Sequence, residues 1–279
     1  MKVLKITDHR RDFAGMTYVY PVLSRRAGGV SVGINLNPNN ACNWHCVYCQ
    51  VPDLVRGSAP PIDMSLLEDE LRSFLASVTT GDYLEQHVPE GLRQIMDIAF
   101  SGNGEPTSAA DFDRIVGRVI EVRDQAGMSG IPVRLITNGS LVYRPPVQRA
   151  LELLAGAGGE VWFKVDAAAT ADVERINGVS RDPDRTRRLL SQCASLCPTW
   201  VQTCLFAWDG EAPTDAQFNA YLDCLSSVGV EQLKGVLLYG VARDSMQPEA
   251  NRVTPLSESR LRNYGERIKE KGLTVCVSP

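Results

Sequence analysis

The sequence predicts an α/β fold, a partial (β/α)6 barrel of TIM-like design with parallel strands, and three observations carry that expectation. Six short runs rich in valine and isoleucine alternate with six longer segments of helical periodicity. A series of strand-then-helix units returns each strand by a right-handed crossover, which makes neighbouring strands parallel. The chemically unusual stretches all fall just after a predicted strand, and parallel strands bring their carboxyl ends to one face.

Taken in order, the predicted strands are "VSVGINL" (30–36), "IMDIAFS" (95–101), "VRLIT" (133–137), "VWFKVD" (161–166), "WVQTCLFAW" (200–208) and "LKGVLLYG" (233–240). The intervening helices are predicted over 64–78, 111–126, 146–156, 184–196, 214–228 and 257–271. Asp63, Ser108, Thr214 and Ser257 each place a side-chain acceptor just before a periodic run and are read as helix caps. A last short strand, "LTVCV" (273–277), closes one edge. The reading is one barrel domain over 30–279, with residues 1–29 as an N-terminal extension packing on it, within which "KITDHRRDFAG" (5–15) is a lid or an edge strand and turn.

The net charge of −4 gives no general attraction to phosphate backbones or anionic membranes, so a nucleic-acid substrate is not favoured. No window approaches the roughly 18 uninterrupted apolar residues of a membrane span. The first twenty residues carry scattered charges and no signal-peptide core, which predicts a cytoplasmic protein. In that reducing compartment eight cysteines are ligands, catalysts or buried apolar side chains rather than a disulfide framework.

Three of them, Cys42, Cys46 and Cys49, stand in the segment "ACNWHCVYC" directly after strand one. A structural zinc ion wants a fourth ligand, and His45 would make a Cys3His set; its adjacency to Cys46 strains joint coordination of one tetrahedral ion. A redox CxxC pair at Cys46 and Cys49 would leave Cys42 idle. Packing as buried hydrophobes suits a polar, loop-like segment poorly. The remaining reading is a [4Fe-4S] cluster held by three thiolates, with one iron open to another ligand.

A CxxxCxxC loop at the end of the first barrel strand resembles the radical S-adenosylmethionine (SAM) superfamily. Within it, "PVLSRRAGGVSVGINLNP" and "CNWHCVYCQV" are similar to the opening of the wyosine-type iron-sulfur oxidoreductases. "FSGNGEPT", "ITNGSLVYRP", "KVDAA", "ERINGVSRD" and "VLLYGVAR" then follow in that group's order, so the likeness runs over roughly residues 20–245. The resemblance implies that Cys42, Cys46 and Cys49 ligate one [4Fe-4S] cluster and that SAM chelates the open iron. It implies reductive cleavage to a 5'-deoxyadenosyl radical that abstracts hydrogen from an organic substrate, a small metabolite, peptide or modified nucleoside. An electron donor such as flavodoxin or ferredoxin is the implied partner.

Residue by residue, the resemblance places Tyr48 beside the adenine. It makes Gly102, Gly104 and Glu105 the loop that receives the methionyl amino group, with Pro106 fixing the turn. Asn138 is read as a contact to the ribose or carboxylate, or else as a turn residue of "TNGS". Asp166 ends an apolar strand, where a carboxylate must be paired or face the pocket. Lys164 lies on the same strand face, so the two form an ion pair or a ribose or substrate site. Arg243, Arg25 and Arg26 suit a carboxylate or phosphate at the barrel mouth, or are surface charges.

This chain departs from the archaeal and eukaryotic wyosine enzymes in having no cysteine before Cys42 for their second cluster. A second cluster at Cys193, Cys197 and Cys204 is set against plain core packing, and Cys224 and Cys276 are read as core. The alternative to an enzyme is an iron-sulfur electron-transfer or structural metal-binding protein. An electron carrier would give all four irons a cysteine and have no use for the glycine loop.

Overall fold

The structure, a computed structural model, describes residue 4, residues 15–24 and residues 28–279. Arg25 and Arg26 lie outside the described residues, as does most of the span 1–20. The strands are β1 (Val19–Ser24), β2 (Gly29–Ile34), β3 (Ala41–Cys42), β4 (Val55–Arg56), β5 (Ile95–Phe100), β6 (Val133–Thr137), β7 (Glu160–Lys164), β8 (Thr199–Trp208), β9 (Gly235–Gly240), β10 (Val253–Pro255) and β11 (Val275–Ser278). The helices are α1 (Met64–Thr79), α2 (Tyr83–His87), α3 (Phe112–Gln125), α4 (Pro145–Gly156), α5 (Thr170–Asn177), α6 (Pro183–Leu196), α7 (Asp215–Ser226) and α8 (Glu258–Lys269).

The main sheet runs β1-β2-β5-β6-β7-β8-β9-β11, with β10 antiparallel along the far end of β8. Along that path every pairing from β2 to β11 is parallel, and β1 runs antiparallel to β2, with Val19 opposite Ile34. Each strand sits beside its predecessor in the chain, so crossovers of one hand put the helices on one side. A sheet covered on one face only curls around the other, and the result is the expected half-barrel.

Period-two alternation assigns the two faces. Val32, Ile98, Phe100, Val133, Leu135, Phe163, Val201, Val236 and Leu238 pack against Leu71, Phe112, Leu151, Leu190, Phe218 and Ile268 in one continuous core. Full burial of each such side chain contributes about 1.5–3 kcal/mol. The residues between them, among them Ser31, Asp97, Ile136, Trp162, Lys164, Gln202 and Tyr239, line the concave lumen.

A polar cross-brace closes the lumen at the amino-terminal ends of the strands. Arg134 pairs with Asp97 and, at 2.7 Å, with Glu160. Glu160 also accepts from the indole N–H groups of Trp162 and Trp200, both at 3.1 Å. With Lys234 also 3.7 Å from Glu160, two cations face two carboxylates; this end is built for stability, and the opposite end is left for chemistry.

Asp63, Thr214 and Ser257 cap α1, α7 and α8 as expected, and Thr214 with Gln217 completes a capping box. The cap expected at Ser108 is corrected. Pro106–Ser108 forms a 3-10 turn, α3 begins only after Asp111, and the Ser108 hydroxyl is spent accepting from the Ala59 N–H at 2.8 Å and donating to the Glu105 carbonyl at 2.7 Å.

Candidate functional site

The loop that follows β2 carries the three thiols and is held in place from four directions. The Asn35 side-chain oxygen accepts from the backbone of Asn37 and Asn103, and Asn37 donates to the Ala41 carbonyl at 2.9 Å. The two-residue ladder β3–β4 ties the loop's ends together. The end of α5 supplies carbonyl acceptors: His45 N–H bonds to Asn177 O and Val47 N–H to Ile176 O, each at 2.9 Å. From the far end of the chain, the Ser245 hydroxyl, the Met246 N–H and the Gln247 amide all donate to the Cys49 carbonyl, at 3.2, 2.9 and 3.2 Å. Gly178 completes the α5 contact: its φ is +66°, and a Cβ there would meet the His45 carbonyl.

Cys42, Cys46 and Cys49 thereby line one cavity of about 300 Å³ at the carboxyl ends of the strands, with Gly102, Gly104, Glu105, Asn138, Lys164 and Arg243 on its other walls. Burial pushes the Cys42 thiol up to about 11 and the Cys46 thiol up to about 12, so both are protonated until a metal displaces the proton. Trp44 N–H points at Cys42 Sγ (3.4 Å) and the Asn177 amide at Cys46 Sγ (3.3 Å), donors suited to thiolates. Among the described residues, no group of three His, Cys, Asp or Glu side chains is placed to hold a single metal ion. Three thiols lining one cavity, two of them facing N–H donors, suit the irons of a cluster. His45, the candidate fourth zinc ligand, instead approaches Glu249 at 3.4 Å and is not among the residues lining the cavity. The donor set fits a [4Fe-4S] cluster.

The glycine loop needs its glycines for a reason the spacing alone did not give. Gly102 adopts φ +134°, and a Cβ on it would collide with the Asn35 side chain; one on Gly104 would collide with the Ala41 carbonyl and the Asn37 amide. Absence of side chains lets this loop lie flat against the root of the cysteine loop. Glu105 is 2% exposed. One carboxylate oxygen accepts from the Thr107 N–H (3.2 Å) and from the hydroxyls of Thr107 and Thr137, each at 2.5 Å, and the other from the Asn138 N–H at 2.7 Å. Burial raises its pKa against the pull of those four donors. Glu105 thus bolts the loop after β5 to the loop after β6 while edging the cavity.

Asn138 combines its two expected roles differently: its side chain accepts from the Ser140 N–H (2.9 Å) in the turn and donates to Asn43 (2.8 Å), reaching the cysteine loop. The Lys164–Asp166 ion pair is present at 3.6 Å, with Tyr48 between them. The Tyr48 hydroxyl accepts from Lys164 and donates to Asp166 Oδ2 at 2.5 Å; Asp166 also accepts from Asn177 (2.8 Å) and the Cys204 N–H (2.9 Å). Burial works against the Lys164 charge, but Asp166 together with Tyr239, Cys46 and Cys204 outweighs it and holds the ammonium well above the usual lysine range. Asp166 itself lines a second cavity, behind Cys204.

The remaining cysteines separate. Cys193 and Cys197 belong to the main core, both pushed up to about 12 by burial. Cys204 lies five strand residues past Thr199, about 16 Å along β8 at the usual rise. The trio therefore follows the packing reading and not that of a second cluster. Cys276 is exposed, contrary to its reading as core, whereas Cys224 is buried.

Four contributors escaped the sequence reading. Asn177 lies inside the quoted stretch "ERINGVSRD" but was given no role there, and Ser245 and Gln247 are polar residues in a segment with no pattern of its own. Gln202 is 2% exposed on the lumen face, and its amide nitrogen has no hydrogen-bond partner among the described residues. Its place on an inward-facing strand position was the only available signal.

Residues 36–217, more than half of the chain, match the model of the Radical SAM superfamily, and the chain belongs to that superfamily. The fold agrees. A radical SAM methyltransferase from Sphaerobacter thermophilus superposes with TM-score 0.59 at 14% identity, over 93% of this chain and 68% of that one. TYW1 with a lysine-pyruvate adduct bound gives 0.56 at 12%, over 88% and 74%. Streptococcus suis SuiB bound to S-adenosylmethionine gives 0.54 at 13%, over 91% and 49%. Among curated sequences, a UPF0026 protein of Helicobacter pylori is 28% identical over 56% of this chain and 44% of its own length. A Brachyspira hyodysenteriae protein named GTPase Obg is 32% identical over 47% of this chain but only 17% of its own length. The chain thus spans less than half of these curated relatives. No helix among the described residues is long and apolar enough to cross a membrane.

Proposed function

We propose that this protein is a radical SAM enzyme in which Cys42, Cys46 and Cys49 hold one [4Fe-4S] cluster. The observation that carries the reading is the convergence of three thiols from one loop and the Gly102–Glu105 loop on a single cavity at the strand ends. Bound there, the cluster supplies the electron that cleaves S-adenosylmethionine to a 5'-deoxyadenosyl radical, which takes a hydrogen atom from an organic substrate. The chain's own residues bind and orient. Gly102 and Gly104 leave backbone at the cavity wall where a methionyl ammonium can approach, and Glu105 lends a negative charge beneath them. Tyr48 and Asn138 edge the nucleoside side. Lys164, Gln202 and Arg243 present donors to a substrate with carbonyl, carboxylate or phosphate oxygens.

TYW1 is known with a lysine-pyruvate adduct. Lys164 is a poor candidate for the same chemistry, because Asp166 and Tyr48 keep its amine protonated and a carbonyl is attacked only by the neutral form. The substrate is a small metabolite, peptide or modified nucleoside, the electron donor a flavodoxin or ferredoxin, and the setting the cytoplasm; the acidic chain does not favour nucleic acid.

The test is anaerobic reconstitution with iron and sulfide, reduction, addition of SAM, and assay of 5'-deoxyadenosine, with Cys46→Ala as the control. Product from the wild type alone supports the reading. An iron-loaded wild type that neither binds nor cleaves SAM would leave an iron-sulfur electron-transfer or structural protein.

A further inference from the structure

Asn177 is the last residue of α5, 1% exposed, and its side-chain amide has two acceptors in reach: Asp166 Oδ2 at 2.8 Å and Cys46 Sγ at 3.3 Å. The amide's orientation is chemically forced. Asp166 as a carboxylate only accepts, so the NH2 group must face it, and its second hydrogen is then directed at the sulfur. The bond is fixed from behind, because the Asn177 carbonyl receives the His45 N–H at 2.9 Å and Gly178 turns the chain away in the left-handed region. Asp166 has two further donors in Tyr48 and Cys204, so its charge is satisfied without Asn177.

We infer that Asn177 is a positioning residue that sets the reduction potential of the cluster through its hydrogen bond to the Cys46 sulfur. The inference rests on the reading that Cys46 is a cluster ligand. The sign follows from charge. A one-electron reduction leaves the cluster and its thiolates more negative, and an N–H donor stabilises the more negative state more strongly. Asn177 therefore raises the potential and makes the electron easier to place.

The test is a dithionite titration of the reconstituted protein at controlled potential, with the reduced cluster counted by its electron paramagnetic resonance signal. Asn177→Leu keeps the branching and the number of side-chain heavy atoms and removes the donor. The reduced-to-oxidised ratio at a fixed potential is expected to fall about tenfold, a downward shift of about 59 mV for one electron. Iron and sulfide content, measured on the same samples, confirms equal loading. An unchanged potential in loaded Asn177→Leu overturns the inference. Should that variant not load, two measurements decide: titration of Asn177→Ser, and a pulsed resonance spectrum of the wild type carrying 15N in its asparagine side-chain amides. A 15N coupling to the reduced cluster supports the bond, and its absence overturns it. A wild type that shows no cluster signal after reconstitution overturns both this inference and the function it rests on.

Discussion

Replacing Glu105 by glutamine tests whether the glycine loop is held by charge or by acceptor geometry. The carboxylate accepts four hydrogen bonds, three on one oxygen and one, from the Asn138 N–H, on the other. Glutamine keeps one oxygen, best turned toward the three donors. Its new NH2 group then meets the Asn138 N–H donor to donor, and two buried donors lose their acceptor. At about 1–3 kcal/mol for each buried unsatisfied group, and with some return from no longer burying a charge, the net cost is about 2–4 kcal/mol. At roughly 2–4 °C per kcal/mol for chains somewhat shorter than this one, the melting temperature falls by roughly 4–16 °C. Differential scanning calorimetry on the iron-free protein reads the stability, and iron content after reconstitution reads the effect on the cysteine loop. A melting temperature within 1 °C of wild type would refute the view that this carboxylate bolts the two loops together.

Gly104→Ala drives a Cβ into the Ala41 carbonyl, one residue before Cys42. It should cost about 1–3 kcal/mol by overpacking and lower the iron bound per chain on reconstitution. Lys164→Met leaves Asp166 buried with hydrogen bonds but no counter-charge and should destabilise by about 3 kcal/mol in urea unfolding; Lys164→Met with Asp166→Asn should recover most of that loss. Burial works to raise Glu160, but Arg134 and the two indole donors outweigh it and lower its pKa below the ordinary 4.5. A lowered folded-state pKa gives stability that is present above 4.5 and lost as the pH falls through the folded value. The acid limb of a stability-versus-pH curve should therefore be shallower in Glu160→Gln, and an unchanged limb would count against the brace.

Much of this fold was legible because each parallel unit announces itself locally: an apolar run, then a periodic helix opened by Asp63, Thr214 or Ser257. β1 was not, because Pro21 breaks the strand signal. Among the described residues β1 is the end strand of the sheet, a position that tolerates proline. α5 was missed because it is eight residues long and Ala169 gives it no side-chain cap. The ligand loop, the glycine loop and the Lys164–Asp166 pair were readable from residue type and strand position. Asn177, Ser245 and Gln247 were not, since each acts only by standing next to a loop that lies far away in the chain.

That last contact has a consequence for how the protein comes into being. The carbonyl of Cys49 is gripped by residues some 196 to 198 positions later. A chain still emerging from the ribosome therefore displays its three thiols long before the clasp that shapes them has been made. Iron offered during synthesis would meet a loose, competent but unformed loop, and capture becomes selective only once β9 and the segment after it have joined the sheet. On the proposed reading of the three thiols as cluster ligands, metal loading would come late, on a finished fold.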